Sequence, residues 1–484
     1  MDYEIAAPDP AGMVASLSSL GYSLEAAVAD LVDNSIGAQA RQIEVEFTWE
    51  GENSWIAVVD DGQGMGRDEL VTAMTPAARG PAAERSTLDL GRFGMGLKTA
   101  SFSQARQLTV ATASPNGRWH TRTWDLDMVE RTGEWRLLVG CDDATRAIVE
   151  GLRGSRPHGT VVLWRRLNGY DSDEFDGDRT AQQQFYDEAG RVESHLGMVF
   201  ARFLNEVALS VQGVKVQPWD PFLRRHRSVQ LLPVEGLPLS GALVRVEGFV
   251  LPHAQKLSPA EHREAGGPTG WLNQQGFYVY RRNRLIVAGD WLGLRGMRKE
   301  EKYSLARICV DIPAELDSEW SVDVRKSKIV PPVPLRRHLA RIAHRTREKA
   351  SEVLRHRGQI AAREHGAPHV YAWRVERRDG RIVCRINRQH PLVQEILRSG
   401  SNGAVRALLS LLEETVPVEA LRVMHDTDAA DDPQPFKDLP SETEEMVARH
   451  IYEALVSRGS SPSEASRKLV GMHPFNQLEG FWHQ

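Results

Sequence analysis

The sequence predicts an α+β protein of more than one domain. Apolar residues recur at helical spacing in some stretches and alternate strictly in others. The chain has 484 residues, and at roughly 100–200 residues per domain it divides into about three. Its 41% hydrophobic and 26% charged residues are those of a globular chain and exclude fibrous and disordered classes. The net charge of −5 does not announce a nucleic-acid binder, although a whole-chain sum conceals opposed local patches. Cys141, Cys309 and Cys384 stand far apart, in no metal-like spacing. A reduced, cytoplasmic compartment follows. No signal peptide and no membrane-spanning run is expected.

Taken in order, residues 11–37 read as mostly helix. Ala27, Val28, Leu31, Val32 and Ser35 form its buried stripe, with Ser23 as N-cap and Glu25 in the first turn. Asp30 and Asn34, four apart, share one face. On a helix such polar residues are either a solvated side or a site. Residues 42–49 and 54–60 alternate as strands, and the second runs into Asp60-Asp61-Gly62-Gln63-Gly64. A carboxylate at a strand end before two spaced glycines is either an ordinary Asp-Gly turn or an acceptor beside a thin wall that admits a flat ring. A short helix from Asp68 to Met74 leads into a long loop to residue 90, of the length that functional or mobile loops have. Then comes Gly91-Arg-Phe93-Gly94-Met-Gly96-Leu97-Lys98-Thr99. Such a glycine cluster is either a tight turn or a phosphate loop whose N–H groups face an anion. Strands are expected at 107–113, 119–126 and 157–164, the last led by Gly159-Thr160.

Three motifs thus arrive in one order: Asp30-x-x-x-Asn34, Asp60-x-Gly62-x-Gly64, and Gly91-x-x-Gly94-x-Gly96-x-Lys98-Thr99, with Gly159-Thr160 as a fourth piece. Together they resemble the GHKL (Bergerat-fold) ATPase superfamily of gyrase B, the large heat-shock chaperone, histidine kinases and MutL. The wording Asp-Leu-Val-Asp-Asn-Ser, Gly-Arg-Phe-Gly-Met-Gly-Leu-Lys-Thr-Ala-Ser and Gly-Thr-Val-Val-Leu-Trp is most similar to the MORC-like branch and its bacterial relatives. The resemblance covers the first 170 residues well and continues less specifically to about residue 345.

The resemblance implies a two-layer α/β sandwich with helices on one face of a mixed sheet and ATP between the layers. By the same resemblance Asn34 coordinates Mg²⁺, which takes oxygen ligands and keeps several waters. Asp60 accepts from the adenine amino group, and Thr160 supports it. Gly62, Gly64 and Met65 line the adenine side. Gly91, Phe93, Gly94, Gly96, Leu97, Lys98 and Thr99 form the lid end at the phosphates. Asp30 stands where hydrolysing relatives have a glutamate as general base. It is one methylene shorter, and a base must reach within about 2.6–3.2 Å of its proton. Gly37 replaces a common Asp. A slow base and a purely binding site both remain open at this point.

A helix at 182–206 is expected to link domains. Strands follow at 207–211, 214–218, 241–251, 277–287 and 305–312, with Asn283 at a hairpin turn. This resembles the transducer domain that follows the ATPase domain in gyrase B, MutL and MORC proteins. There a lysine reaches the γ-phosphate, and Lys328, with Lys326 as the second choice, is the candidate. Arg281, Arg282 and Arg284 are expected as a basic rim or as solvated hairpin arginines.

The C-terminal third is expected to be mainly helical: one charged helix at 335–365, a hairpin at 371–387 turning at Asp379-Gly380, and helices at 391–399, 402–415, 441–457 and 462–470. Residues 335–388 hold 15 Lys+Arg against 5 Asp+Glu, and 413–445 hold 11 acidic against 2 basic residues. The basic stretch either follows DNA phosphates or meets the acidic one. The expected domains are 1–178, 179–345 and 346–484. The expected activity is that of a Mg²⁺-dependent ATPase acting as a dimeric clamp, joined through the N-terminal domains. DNA and accessory defence or DNA-modifying proteins are its expected partners, and a chaperone, a scaffold or a non-hydrolysing nucleotide-binding module is the alternative.

Overall fold

The computed structural model describes residues 9–19, 21–76, 96–169, 178–316, 319–322, 329–355, 373–378, 381–398, 409, 411–413, 415, 441–457 and 459–470. The chain divides into two compact units, Met1–Val353 and Leu354–Gln484. The fold class is mixed α/β, as the sequence predicts.

The first unit opens with α1 (Pro10–Ser18) and α2 (Leu24–Gly37), then β1 (Gln42–Thr48), β2 (Trp55–Asp60) and α3 (Arg67–Met74). After the expected lid come α4 (Gly96–Gln104), β3 (Ala105–Ala113), β4 (His120–Asp125), α5 (Leu126–Thr132), β5 (Leu138–Val139), α6 (Asp143–Arg153) and β6 (Gly159–Leu167). They lead to α7 (Asp178–Val199), β7 (Ala208–Val211) and β8 (Val214–Lys215). The eight strands form one sheet in the order β5-β4-β3-β6-β2-β1-β7-β8. Only β7 runs parallel to its neighbour β1, so the sheet is mixed.

Strand alternation decides which layer each side chain serves. Ile56 and Val58 of β2 join a core with Val28, Leu31 and Val32 of α2, Ala100 and Phe102 of α4, and Phe185, Val192 and Leu196 of α7. Ala57 and Val59 face the other way, where Val149 of α6 packs on them with Ala111, Val161 and Leu163. A helix therefore lies on the second face as well, which the expectation of helices on one face did not include. The physical reason is that β2 is apolar at both sets of positions. Helix α7 packs into the first sheet's core through Phe185, whose ring lies 5.5 Å from those of Phe47 and Trp49, while Met198 near its C-terminal end packs in the second sheet's core.

A second sheet follows in the same unit. Its elements are β9 (Gln230–Leu231), β10 (Glu235–Leu239), β11 (Ala242–Val250), α8 (Pro259–Gly266), α9 (Gly270–Asn273), β12 (Gly276–Arg281), β13 (Arg284–Asp290) and β14 (Ala306–Ile312). The strand order is β10-β11-β14-β12-β13, with β9 on β11. Phe222, Phe249, Tyr278 and Tyr280 fill its core. The β12–β13 turn is made by Arg282 and Asn283, both at positive φ (48° and 66°). Two adjacent left-handed residues are what a tight two-residue hairpin requires, and Asn at the second suits it. A small pair, β15 (Ser321–Val322) and β16 (Ile329–Val330), precedes α10 (Val333–Arg355).

The second unit contains the expected hairpin, β17 (Trp373–Arg378) and β18 (Arg381–Ile386), with Arg378 opposite Arg381. It also contains α11 (Pro391–Arg398), α12 (Ser441–Ser457) and α13 (Pro462–Val470). Ala448, Ile451, Leu455, Ala465 and Leu469 join the last two helices. Among the described residues no helix is long and apolar enough to cross a membrane.

Candidate nucleotide site

Asp60 is the last residue of β2 and is buried. Ser35, in the last turn of α2, donates its hydroxyl to Asp60 Oδ2 at 2.8 Å. The Gly62 N–H donates to Oδ1 at 2.9 Å. Burial raises the Asp60 carboxyl above its ordinary value, and these two donors pull it partly back. The next carboxylate, Asp61, accepts from the Arg41 and Gln42 N–H groups at 2.7 and 2.8 Å. The two adjacent aspartates thus divide the work: Asp61 ties the β1 entry, and Asp60 faces α2.

The two glycines behind Asp60 are required by space. Gly64 has φ of +57°, and a Cβ there would fall 1.9 Å from the Ala113 carbonyl oxygen. At Gly62 a Cβ would meet the Ala38 carbonyl at 2.9 Å and Asp60 Oδ1 at 3.0 Å. The chain presses against its own backbone here, which is why the wall is thin. Met65 packs on the core and its N–H donates to Thr112 Oγ1 at 3.0 Å.

Thr160 sits directly opposite Asp60 in the β2–β6 ladder. Its hydroxyl pairs with that of Thr112 at 3.1 Å, and Thr112 also donates to the Gly159 carbonyl at 2.9 Å. Thr112 belongs to this hydrogen-bonded cluster, and the motif reading missed it. Its only sequence signal was a Thr on a strand otherwise built of apolar residues at its end. His158 completes this end, its Nδ1 lying 2.8 Å from the Gly62 carbonyl oxygen.

The other end is built on α2. Residues 27–33 and Ser35 are buried, whereas Asn34 is exposed. Ser23 caps the helix by accepting from the Ala26 N–H at 3.3 Å. Asp30 is buried, and the Tyr22 hydroxyl donates to its Oδ2 at 3.3 Å. Gly96, first residue of α4, lies so close that a Cβ there would stand 3.4 Å from Asp30 Oδ2. The start of α4 therefore abuts Asp30. Leu97 packs into the core, and Thr99 is buried, its hydroxyl donating to the Gly96 carbonyl at 3.3 Å. Lys98 is buried, donates to the Ala73 carbonyl at 2.9 Å, and is pulled down to about 8 by loss of solvent. Gly91, Phe93, Gly94, Lys326 and Lys328 lie outside the described residues.

The hairpin arginines are not a basic rim. Arg281 and Arg284 are buried. Arg284 Nε donates to both carboxylate oxygens of Asp33 at 2.7 Å. Its second amino group stands 3.7 Å from Asp30 Oδ1. The correction has a simple cause: the hairpin is folded against α2, and α2 offers two carboxylates. His195 of α7 is held at about 4, chiefly by burial and next by the charge of Arg284.

An aspartate at a strand end with two space-limited glycines has a threonine opposite it, and an Asp-x-x-x-Asn helix meets a glycine-led helix. Residues 22–150 match the family model described as histidine kinase-, DNA gyrase B-, and HSP90-like ATPase. Residues 22–150 are thus similar to a GHKL-type ATPase domain. Similar proteins include the ATPase morc-1 of Caenorhabditis elegans, 37% identical over 86 residues, or 18% of this chain and 10% of that protein. The DNA mismatch repair protein MutL of Opitutus terrae is 41% identical over 70 residues, or 14% of this chain and 11% of that protein. The chain thus spans about a tenth of the length of each of these relatives. Both similarities are confined to a GHKL-domain-sized stretch or less.

Among the described residues no group of three or more His, Cys, Asp or Glu could hold a metal by itself. Magnesium in the GHKL domain would instead be shared between nucleotide phosphates and one protein oxygen, and the exposed Asn34 amide has the chemistry for that.

Proposed function

We propose that this protein binds ATP with Mg²⁺ between α2 and the first sheet and hydrolyses it slowly. The carrying observation is the buried Asp60, fixed by Ser35 and the Gly62 N–H against the Thr112–Thr160 pair. An ionised carboxylate held so accepts from an amino group and gives adenine its orientation. Asn34 holds Mg²⁺, which neutralises phosphate charge when bound. The glycine-led start of α4, with Lys98 and Thr99, takes the phosphates. Asp30, one helical turn before Asn34 and against Gly96, takes the proton of the attacking water. Lys328, from the stretch that resembles a transducer domain, reaches the γ-phosphate.

The domains are 1–178 for the nucleotide, 179–345 as transducer and 346–484 as an effector region. Two subunits join through their N-terminal domains, and ATP orders the lid at 67–90. The similarity to a protein named ATPase morc-1 and to one named a DNA mismatch repair protein supports a DNA-linked setting, in remodelling or defence. Helix α10 supports it too, since Arg336, Arg337, His338 and His344 are exposed on it, while Arg341 and Lys349 pair with Glu235 and Glu352. Part of the basic stretch is used internally: Arg385 and Arg388 pair with Glu413 at 3.2 and 3.0 Å.

The test is ATP turnover by the purified chain with Mg²⁺, with and without DNA, beside Asn34→Ala and Asp60→Asn. Turnover that DNA stimulates and both substitutions abolish supports the reading. Normal ATP-Mg²⁺ binding by Asn34→Ala would overturn the site. Turnover raised by an unfolded client protein and indifferent to DNA would favour the chaperone reading.

A further inference from the structure

Arg284 has no part in the nucleotide motifs, yet it reaches the residue that the chemistry needs. It stands at the start of β13, 254 positions after Asp30 in the chain. Both it and Asp33 are almost fully removed from water, at 5% and 1% side-chain exposure. The guanidinium divides its donors. Nε grips both oxygens of Asp33, one amino group donates to the Leu285 carbonyl at 2.9 Å, and the other points its charge at Asp30 Oδ1 from 3.7 Å. The Phe200 ring lies 5.8 Å from the guanidinium carbon. Asp30 is thus approached at one oxygen by Arg284 and bonded at the other by the Tyr22 hydroxyl.

We propose that Arg284 is a positioning residue that joins the β12–β13 hairpin to α2 and sets the orientation of Asp30 for the water attack. The proposal rests on the reading of Asp30 as general base. Asp33 and the Leu285 carbonyl fix the fork, so its remaining amino group has one place to be. An aspartate lacks the reach of glutamate, and two flanking groups supply direction that side-chain length does not. The arrangement also has a consequence for coupling. A nucleotide that draws Asp30 or α2 forward pulls on β13, so the state of the site is transmitted to the second sheet through one buried fork. Arginine suits this and lysine does not, because a lysine has one nitrogen where the fork uses three.

The decisive variant exchanges the buried pair for amides, Arg284→Gln with Asp33→Asn, which removes both charges of that pair together and takes the cation away from Asp30 while the Tyr22 hydroxyl stays. With this double variant we expect wild-type affinity for adenylyl imidodiphosphate with Mg²⁺, unchanged KM for ATP, and kcat lower by about tenfold or more. Arg284→Lys, which keeps the charge, should fall between the two. A double variant with wild-type kcat overturns the positioning role and leaves the pair purely structural. A second readout needs no turnover. Adenylyl imidodiphosphate with Mg²⁺ should change hydrogen exchange of the 284–290 amides in the wild type and not in the double variant, and an unchanged wild type overturns the coupling. Asp30→Asn separates the two ideas. If it retains wild-type turnover, the base reading fails. If it is inactive while the double variant is normal, Arg284 alone fails.

Discussion

Asp60 and Asp33 are both buried aspartates of the same sheet-and-helix layer, and they are satisfied by opposite means. Asp60 is held by neutral donors close to it in the fold, a serine hydroxyl and a main-chain N–H, with no cation in contact. Asp33 is held by a buried guanidinium that arrives from the second sheet, 251 residues later. The first arrangement leaves a carboxylate that is still able to accept from a ligand. The second spends its acceptors on the protein itself. A buried carboxylate is tolerated either way, by hydrogen-bonding dipoles or by a paired charge. Asp30 lies between these cases, bonded by Tyr22 and faced by Arg284.

Breaking the charged pair should have the largest effect. Asp33→Asn alone removes the carboxylate bonded to the buried Arg284 and leaves it only the Asp30 carboxylate at 3.7 Å, and should cost up to about 3–5 kcal/mol of stability, whereas the paired amide variant should cost less. Chemical denaturation of the single and double variants measures the difference. Next comes the wall behind Asp60. Gly64→Ala combines positive φ with a Cβ driven into the Ala113 carbonyl, and should cost about 3 kcal/mol or more. Gly133→Ala, at φ +63° in open space, should cost only about 1 kcal/mol. Thermal unfolding of the pair separates crowding from backbone strain.

The neutral-donor end should break more gently. Ser35→Ala removes one donor from Asp60 and should weaken ATP binding by roughly tenfold, while costing about 1–2 kcal/mol of stability. Calorimetric titration and melting check both. The smallest and most informative effect concerns pH. The Asp60 pKa is raised in the fold by burial, so the folded state holds this proton longer than the unfolded chain does. Its contribution to stability is present at low pH and is lost as pH rises through the raised value. Nucleotide affinity should run the other way, rising across the same interval as the carboxylate ionises. At the alkaline side Lys98, brought down to about 8, should lose its charge, and affinity for ATP should fall as pH rises past that value. Lys98→Met should remove the alkaline fall and leave the acid one.

Much of the first layer was legible because its signals are local. The Ser23 cap, the stripe of α2, the alternation in β1 and β2 and the paired glycines each act within a few residues, and each is found in place. The turn at Asn283 was legible for the same reason. Helices α5 and α6 were missed although their signals are also local. Asp125 and Asp142 accept from the Met128 and Thr145 N–H groups, and Gly133 and Gly154 end the helices. Those caps were visible in the sequence, but the apolar stripes between them are short. Thr112 and Arg284 were missed for a different reason. A threonine on a strand and an arginine in a hairpin carry no sign of which carboxylate or hydroxyl they will meet.

The sequence by itself determined the order of the elements, the motif residues Asp30, Asn34, Asp60 and Gly64, and the turn that returns β13 along β12, since these depend on periodicity, caps and backbone sterics. Only the tertiary structure decided that α6 covers the second face of the sheet, that α7 packs in the first core with Met198 in the second, and that Arg284 is buried against Asp33 rather than solvated. Those outcomes depend on which surfaces meet after both sheets have formed. The energy of a buried charge is set by the partner it finds in space, and the chain does not mark that partner within any one window of sequence.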